Sequence, residues 1–466
     1  MRDPSRWGPA AQFRELVRSM LVNPVGLFDL VLSVDHLREA VAAEVGKTLD
    51  RLFTPVVTLV TFLGQVSSED RSCRAAVARL LAWRVARGLA PCSLATGGYC
   101  RARSRLPKSL LPRLTRDCAD RLRRDLPPAW LFHGRRVDIA DGTTVSMPDT
   151  PGNQAAYPQH TNQRPGCGFP LARIVVLLCL ATGTAIDAAF GPSKGKASGE
   201  TTLLRGLHGR LGWGDILLAD RLFCTYMDIA LLADRGVDVL LRNPNNRAID
   251  FRTGTRLGRD DHQITWSRPA RPDWMDPETY ATIPETLAIR QVRTQLKQRG
   301  FRTRTIVVVT TLLDATTYRR DELAGLYRLR WHAELDLRSI KQTMRMDVLR
   351  CKAPERVDQE IWAHLLVYNL VRGVMAEAAR RHGIAPRGLS LQATRQILAG
   401  FREAGGEGGT DGEETAIDAI LEAIARQRVG NRPDRYEPRA RKRRPKPYPP
   451  LQQPRDQAKK LLEYAA

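Results

Sequence analysis

The sequence predicts an α/β chain in which a mixed sheet carries a small β insertion and follows a helical N-terminal segment. Three observations predict it. Helical patterning runs to about residue 125. From about residue 135, three strand-like runs are followed by alternating helix and strand, the order of a mixed sheet. A stretch rich in Arg, Pro and Thr, residues 243–304, then interrupts the order before a last apolar strand. The implied organisation is a helical domain over 1–125, a core over 126–242 and 305–402 split by the insertion, and a linker with a basic tail over 403–466. With 466 residues, 43% of them hydrophobic, the chain can fill such a core.

Residues 68–87, SEDRSCRAAVARLLAWRVAR, open with a Ser cap and acids, carry Val77, Leu80, Leu81 and Val85 on one side, and stop before Gly88 and Pro91. Residues 101–124 hold nine Lys or Arg against Asp117 and Asp120, interrupted by Pro107 and Pro112. That cluster suits either a track of DNA phosphates or an ordinary solvated face. Next, RRVDIADGTTVSM (135–147) is β-branched and alternating, and LARIVVLLCLA and TAIDAAFG flank Thr182-Gly183 as a hairpin. A helix over about 200–211, a strand at 215–220, a helix over 223–235 and a strand at 237–242 follow. The insertion contains the β-like pieces HQITWS and LAIRQVRT, with Trp266 and Trp274. TRTIVVVTTLL (303–313) resumes the sheet, and Pro354 opens a helix through ERVDQEIWAHLLVYNLVR. In the tail, GGEGGTDGEE is a linker, 415–428 one short helix, and RARKRRPKPYPP (439–450) a segment disordered until it meets a polyanion.

A net charge of +23 makes an extended polyanion, nucleic acid first, the natural partner. No run reaches the eighteen or so apolar residues of a membrane span, and MRDPSRWGPAAQF lacks a signal-peptide core, so the expected place is the cytoplasm, in association with the nucleoid. The eight cysteines are scattered without CxxC pairs, which argues for reduced thiols and against structural zinc. GPSKGKA (191–197) has too few residues between its glycines, and Ala197 where a phosphate loop needs Ser or Thr, which excludes an ATPase site.

The polar residues of YRLRWHAELDLRSIK (327–341) carry the chemistry. Tyr327, Arg330, Glu334 and Lys341 are spaced by three, four and seven residues, which returns all four to one side of a continuous helix, with Leu326, Leu329, Leu337, Ile340 and Met344 seating it. The plainer alternative is a surface helix laced by i,i+4 ion pairs. Asp141 ends the first core strand and Asp220 the fourth, where α/β sheets open into a ligand crevice. Alternatively Asp141-Gly142 shapes a turn and Asp220 caps a helix. Asp138 falls on the opposite strand face and Asp149 in a loop. Three carboxylates from distant segments suit hard divalent cations, and two such ions activate an attacking oxygen and stabilise a leaving one at phosphorus.

The series Y-x2-R-x3-E-x6-K at Tyr327, Arg330, Glu334 and Lys341, with DGT at Asp141 and a strand-terminal Asp220 before it, resembles the DDE transposases of insertion-sequence family four. The resemblance covers about residues 50–372 and implies a ribonuclease H-like fold with a β insertion between the second Asp and the Glu. It further implies that Asp141, Asp220 and Glu334 bind two Mg²⁺ or Mn²⁺ ions, and that Tyr327, Arg330 and Lys341 hold phosphates of terminal DNA. The activity implied is cut-and-paste transposition on double-stranded DNA, with a homodimer pairing two ends. A silent, co-opted DNA-binding protein and a nuclease without strand transfer are the alternatives. One of Trp266 and Trp274 is a candidate ring for stacking a base displaced at a bent DNA end; the other reading makes both of them core residues.

Overall fold

The computed structural model describes residues 9–21, 24–46, 51–195, 198–295, 305–403, 410–430 and 449–464. Contacts divide the chain into two units. One comprises Met1–Leu131, Ala181–Asp187 and Asp336–Val429, the other Phe132–Leu180, Ala188–Leu335 and Gly430–Ala466.

The first unit is helical. Its centre is the helix Pro354–Arg381, opened by Pro354, whose side chains from Val357 to Ala379 are nearly all buried, so it has no solvent face. Helices Pro55–Ser67, Leu110–Arg124 and Thr410–Arg426 surround it. Asn369, buried at its middle, accepts from the Ala185 amide and donates to the Ala185 carbonyl, both at 2.8 Å, and so satisfies a strand end inside the helices.

Some expectations change here. The helix foreseen over 68–87 begins only at Cys73, because Ser72 is its cap, accepting from Ala75 N at 3.1 Å. Its Val77 and Leu80 are buried, but Val85 is 57% exposed. The basic segment 101–124 is no continuous solvated track. Arg103 and Arg123 are buried and Arg116 pairs with Asp187 at 2.9 Å. Pro112 does not interrupt its helix, since it sits in the first turn, where no amide is needed. The tail is more ordered than foreseen, with helices Thr410–Arg426 and Arg455–Tyr464; residues 439–448 of the basic segment lie outside the described residues.

Among the described residues, nine strands form one sheet, all in the second unit except the first three residues of β3: β1 (Val137–Ser146), β2 (Leu171–Cys179), β3 (Ala185–Pro192), β4 (Ile216–Ala219), β5 (Asp238–Arg242), β6 (Thr255–Gly258), β7 (Asp261–Ser267), β8 (Thr286–Gln295) and β9 (Thr305–Thr310). Their order is β3-β2-β1-β4-β5-β9-β8-β7-β6. β2 runs antiparallel to β1, while β4 and β5 run parallel to it, the mixed, ribonuclease H-like sheet expected. β2 and β4 are apolar and buried at almost every position, as strands covered on both faces must be.

The described strands of the insertion continue the main sheet. β8 pairs with β9, so β8, β7 and β6 prolong the main sheet. Arg290 on β8 fixes the join: fully buried, it grips Asp261 on β7 through two hydrogen bonds of 2.8 and 2.6 Å and donates to the Tyr318 carbonyl at 2.7 Å.

Candidate active site

Asp141 lies inside β1, not at a turn, and pairs with Val176 of β2. On its other side, the parallel pairing with β4 reaches only Ile139↔Leu218. Asp141 is two residues past Ile139 and Asp220 two residues past Leu218, so both stand at one level on neighbouring strands, where β4 has ended and β1 runs on. A step of two along a strand keeps the face, so the two side chains project from the same side of the sheet. Asp220 precedes the turn Arg221–Phe223 without capping it by its side chain. Neither plainer reading, turn or cap, therefore accounts for its carboxylate.

The third carboxylate comes from the segment expected to be one helix. The chain instead makes the helix Arg320–Arg328, a tight turn, the helix Trp331–Arg338 and a π-helical turn Ser339–Thr343. In the tight turn the amides of Leu329, Arg330, His332 and Ala333 each bond three residues back. The single register from Tyr327 to Lys341 is thereby lost, and Leu329 turns outward at 40% exposure, whereas Leu326, Leu337, Ile340 and Met344 are buried as expected. Lys341 sits on the π-helical turn, within the first unit.

The turn carries Arg330 toward the carboxylates. Its Nη2 donates to Glu334 Oε1 at 3.0 Å and its Nη1 is 3.7 Å from Asp141 Oδ2. Burial works against its charge, but Tyr327, Glu334, Asp141 and Asp220 together hold its pKa above the ordinary value. The guanidinium is thus an electrostatic neighbour of all three acids. Among the described residues no three such side chains already stand at mutual ligand distance; the shared neighbour is Arg330. Burial pushes the Asp141 carboxyl up to about 6; Glu334 and Glu200 add to this, while the Gly142 amide, at 2.9 Å, and Arg330 oppose it. The donors around Asp141 are carboxylate oxygens, and in the chemistry of the donor set, though not in ready-made geometry, the residues present suit Mg²⁺ or Mn²⁺.

Tyr327 is 6% exposed, and burial raises its pKa, so the hydroxyl keeps its proton. That hydroxyl lies beside Arg330 and Asp220 yet has no hydrogen-bond partner of good geometry among the described residues. Trp266 corrects an expectation. It is 5% exposed, on β7 opposite Leu287, under the Arg247 guanidinium at 3.7 Å, and an enclosed ring offers no face to a base. Trp274 is 46% exposed, with Arg205 at 3.6 Å over its ring. Sequence reasoning missed Glu200 beside Asp141; the signal for it was a glycine inside a strand, at 142.

A family model described as a transposase DDE domain matches residues 132–370, just over half of the 466 residues. The chain belongs to the DDE transposase family. In its insertion-sequence-four branch, the transposase InsG of insertion sequence element IS4 from Escherichia coli (strain K12) is 29% identical over 307 residues, 64% of this chain and 65% of InsG. The chain thus spans just under two thirds of that relative's length. The putative transposase InsL of insertion sequence element IS186A, from the same strain, is 35% identical over 69 residues, 15% of this chain and 19% of InsL. Among solved structures, a cryo-EM piggyBac transposase synaptic complex with hairpin DNA aligns at a TM-score of 0.43 and 10% identity over 86% of both chains. Among the described residues, no helix is long and apolar enough to cross a membrane.

Proposed function

We propose that this transposase cuts DNA at the ends of a mobile element and joins the freed ends to target DNA. The observation that carries the reading is the level placement of Asp141 and Asp220 on adjacent strands, with Glu334 tied to them through Arg330. Asp141, Asp220 and Glu334 would hold two Mg²⁺ or Mn²⁺ ions, which when bound activate the attacking oxygen and stabilise the leaving one. Water attacks a phosphodiester at the element's end, and the freed 3′ hydroxyl then attacks either the opposite strand, giving a hairpin, or target DNA. No protein side chain is bonded to DNA on this route. Arg330 would exchange its acid partners for a phosphate fork once the acids are neutralised, Tyr327 would donate its hydroxyl to the same backbone, and Lys341 would add a point charge. A net charge of +23 supports a polyanionic duplex as partner, and joining two ends calls for a dimer on DNA.

The test is incubation with duplex DNA carrying the flanking inverted repeats and Mg²⁺, with products resolved by strand. End-specific nicks followed by joined products support transposition. Nicks that never proceed to joining leave a nuclease, and binding without nicks leaves a co-opted DNA-binding protein.

A further inference from the structure

Gly142 is not glycine for the sake of its own backbone. It lies mid-strand in β1, paired with Val175, and its φ is outside the left-handed region that demands glycine. Glycine inside a strand weakens it and marks a close approach by another group. The group here is Glu200. A Cβ built on Gly142 would meet the Glu200 carboxyl carbon at 2.6 Å and its oxygens at 2.8 and 2.9 Å, closer than real Cβ contacts come. The amide of the same glycine donates to Asp141 Oδ1 at 2.9 Å. Two carboxylates are thus seated around one residue that has given up its side chain to admit the second.

Arg173 pairs with Glu200 only at long range. Its Nε is 4.0 Å from Glu200 Oε1, beyond hydrogen-bond distance, and its Nη1 donates to the Ser198 carbonyl at 3.1 Å. Two part-buried carboxylates around one glycine favour a shared cation, and the arginines beside them each reach only one of the pair, Arg173 at 4.0 Å from Glu200 and Arg330 at 3.7 Å from Asp141. We propose that Glu200 is a fourth carboxylate of the metal centre, an oxygen ligand beside Asp141, admitted by the missing side chain of Gly142. The inference rests on the metal-dependent reading of the site.

The test measures Mn²⁺ binding to the full chain, by the paramagnetic resonance signal of free Mn²⁺ and by calorimetry, without DNA. Glu200→Gln should weaken binding about tenfold or more, the scale on which supporting groups of metal sites act. Gly142→Ala keeps the glutamate but evicts its carboxylate, and should give a similar loss. Arg173→Gln should leave affinity unchanged or raise it. If Glu200→Gln and Gly142→Ala bind like the native chain while Asp141→Asn loses Mn²⁺, the inference fails and the metal reading stands. Should the native chain bind no Mn²⁺, or Asp141→Asn bind it normally, the metal reading fails and takes the inference with it. A melting curve for each variant shows that it folds, and if Glu200→Gln does not fold, the comparison of Gly142→Ala with Arg173→Gln decides.

Discussion

Asp141 and Asp220 each stand two residues beyond the paired Ile139 and Leu218, so the end of β4 brings the two carboxylates level on one face of the sheet. With Glu334 added, negative charge accumulates there, and Arg330 is the cation that offsets it.

Arg330→Ala should therefore destabilise the metal-free protein, by about 1–3 kcal/mol, because part-buried acids lose their partner. Mg²⁺ should restore more of the melting temperature to this variant than it adds to the native chain. Equal stabilisation of both by Mg²⁺ would show that Arg330 does not stand in for the ions.

The raised pKa of Asp141, about 6, gives a pH dependence of definite sign. A carboxyl that holds its proton more tightly folded than unfolded favours the fold fully below the unfolded value of about 3.8 and loses that contribution as pH rises through about 6. Asparagine has no such proton to lose. Without metal, Asp141→Asn should gain on the native chain between about pH 4 and about pH 8, by on the order of 2–3 kcal/mol. Melting curves in chelator at both values measure it, and a difference independent of pH would contradict the burial of this carboxyl.

Tyr327→Phe removes a hydroxyl that bonds to nothing of good geometry among the described residues. Stability should stay within about 1 kcal/mol or rise. Affinity for end DNA should fall if the hydroxyl serves a phosphate. A large loss of stability with unchanged DNA affinity would assign the hydroxyl to the fold instead.

The two tryptophans should separate. Trp266→Ala empties a buried site and should cost about 3–5 kcal/mol. Trp274→Ala, at an exposed ring, should leave the melting temperature nearly unchanged and, if that ring receives a displaced base, slow hairpin formation while sparing first-strand nicking. Loss of both steps together would exclude the stacking role.

Much of the sheet was legible because its strands are long β-branched or apolar runs, and the family signature marked the carboxylates. What escaped depends on geometry that spacing cannot carry. The three-residue bonds at Leu329 and Arg330 break a pattern that looks continuous in one-letter code. The pairing of β8 with β9, which turns an insertion into more of the same sheet, is a long-range choice. Glu200 neighbours Asp141 from a segment 59 residues on, and only Gly142, a glycine within a strand-like run whose alternative reading was a turn, hinted at it.

The most direct test of the site is the set Asp141→Asn, Asp220→Asn and Glu334→Gln, assayed with Mg²⁺ on DNA carrying the inverted repeats. Each should reduce cleavage to background while end-DNA binding stays close to native, since each removes a proposed metal ligand and none of the basic surface. Near-native cleavage by any one of the three would contradict its place in the centre.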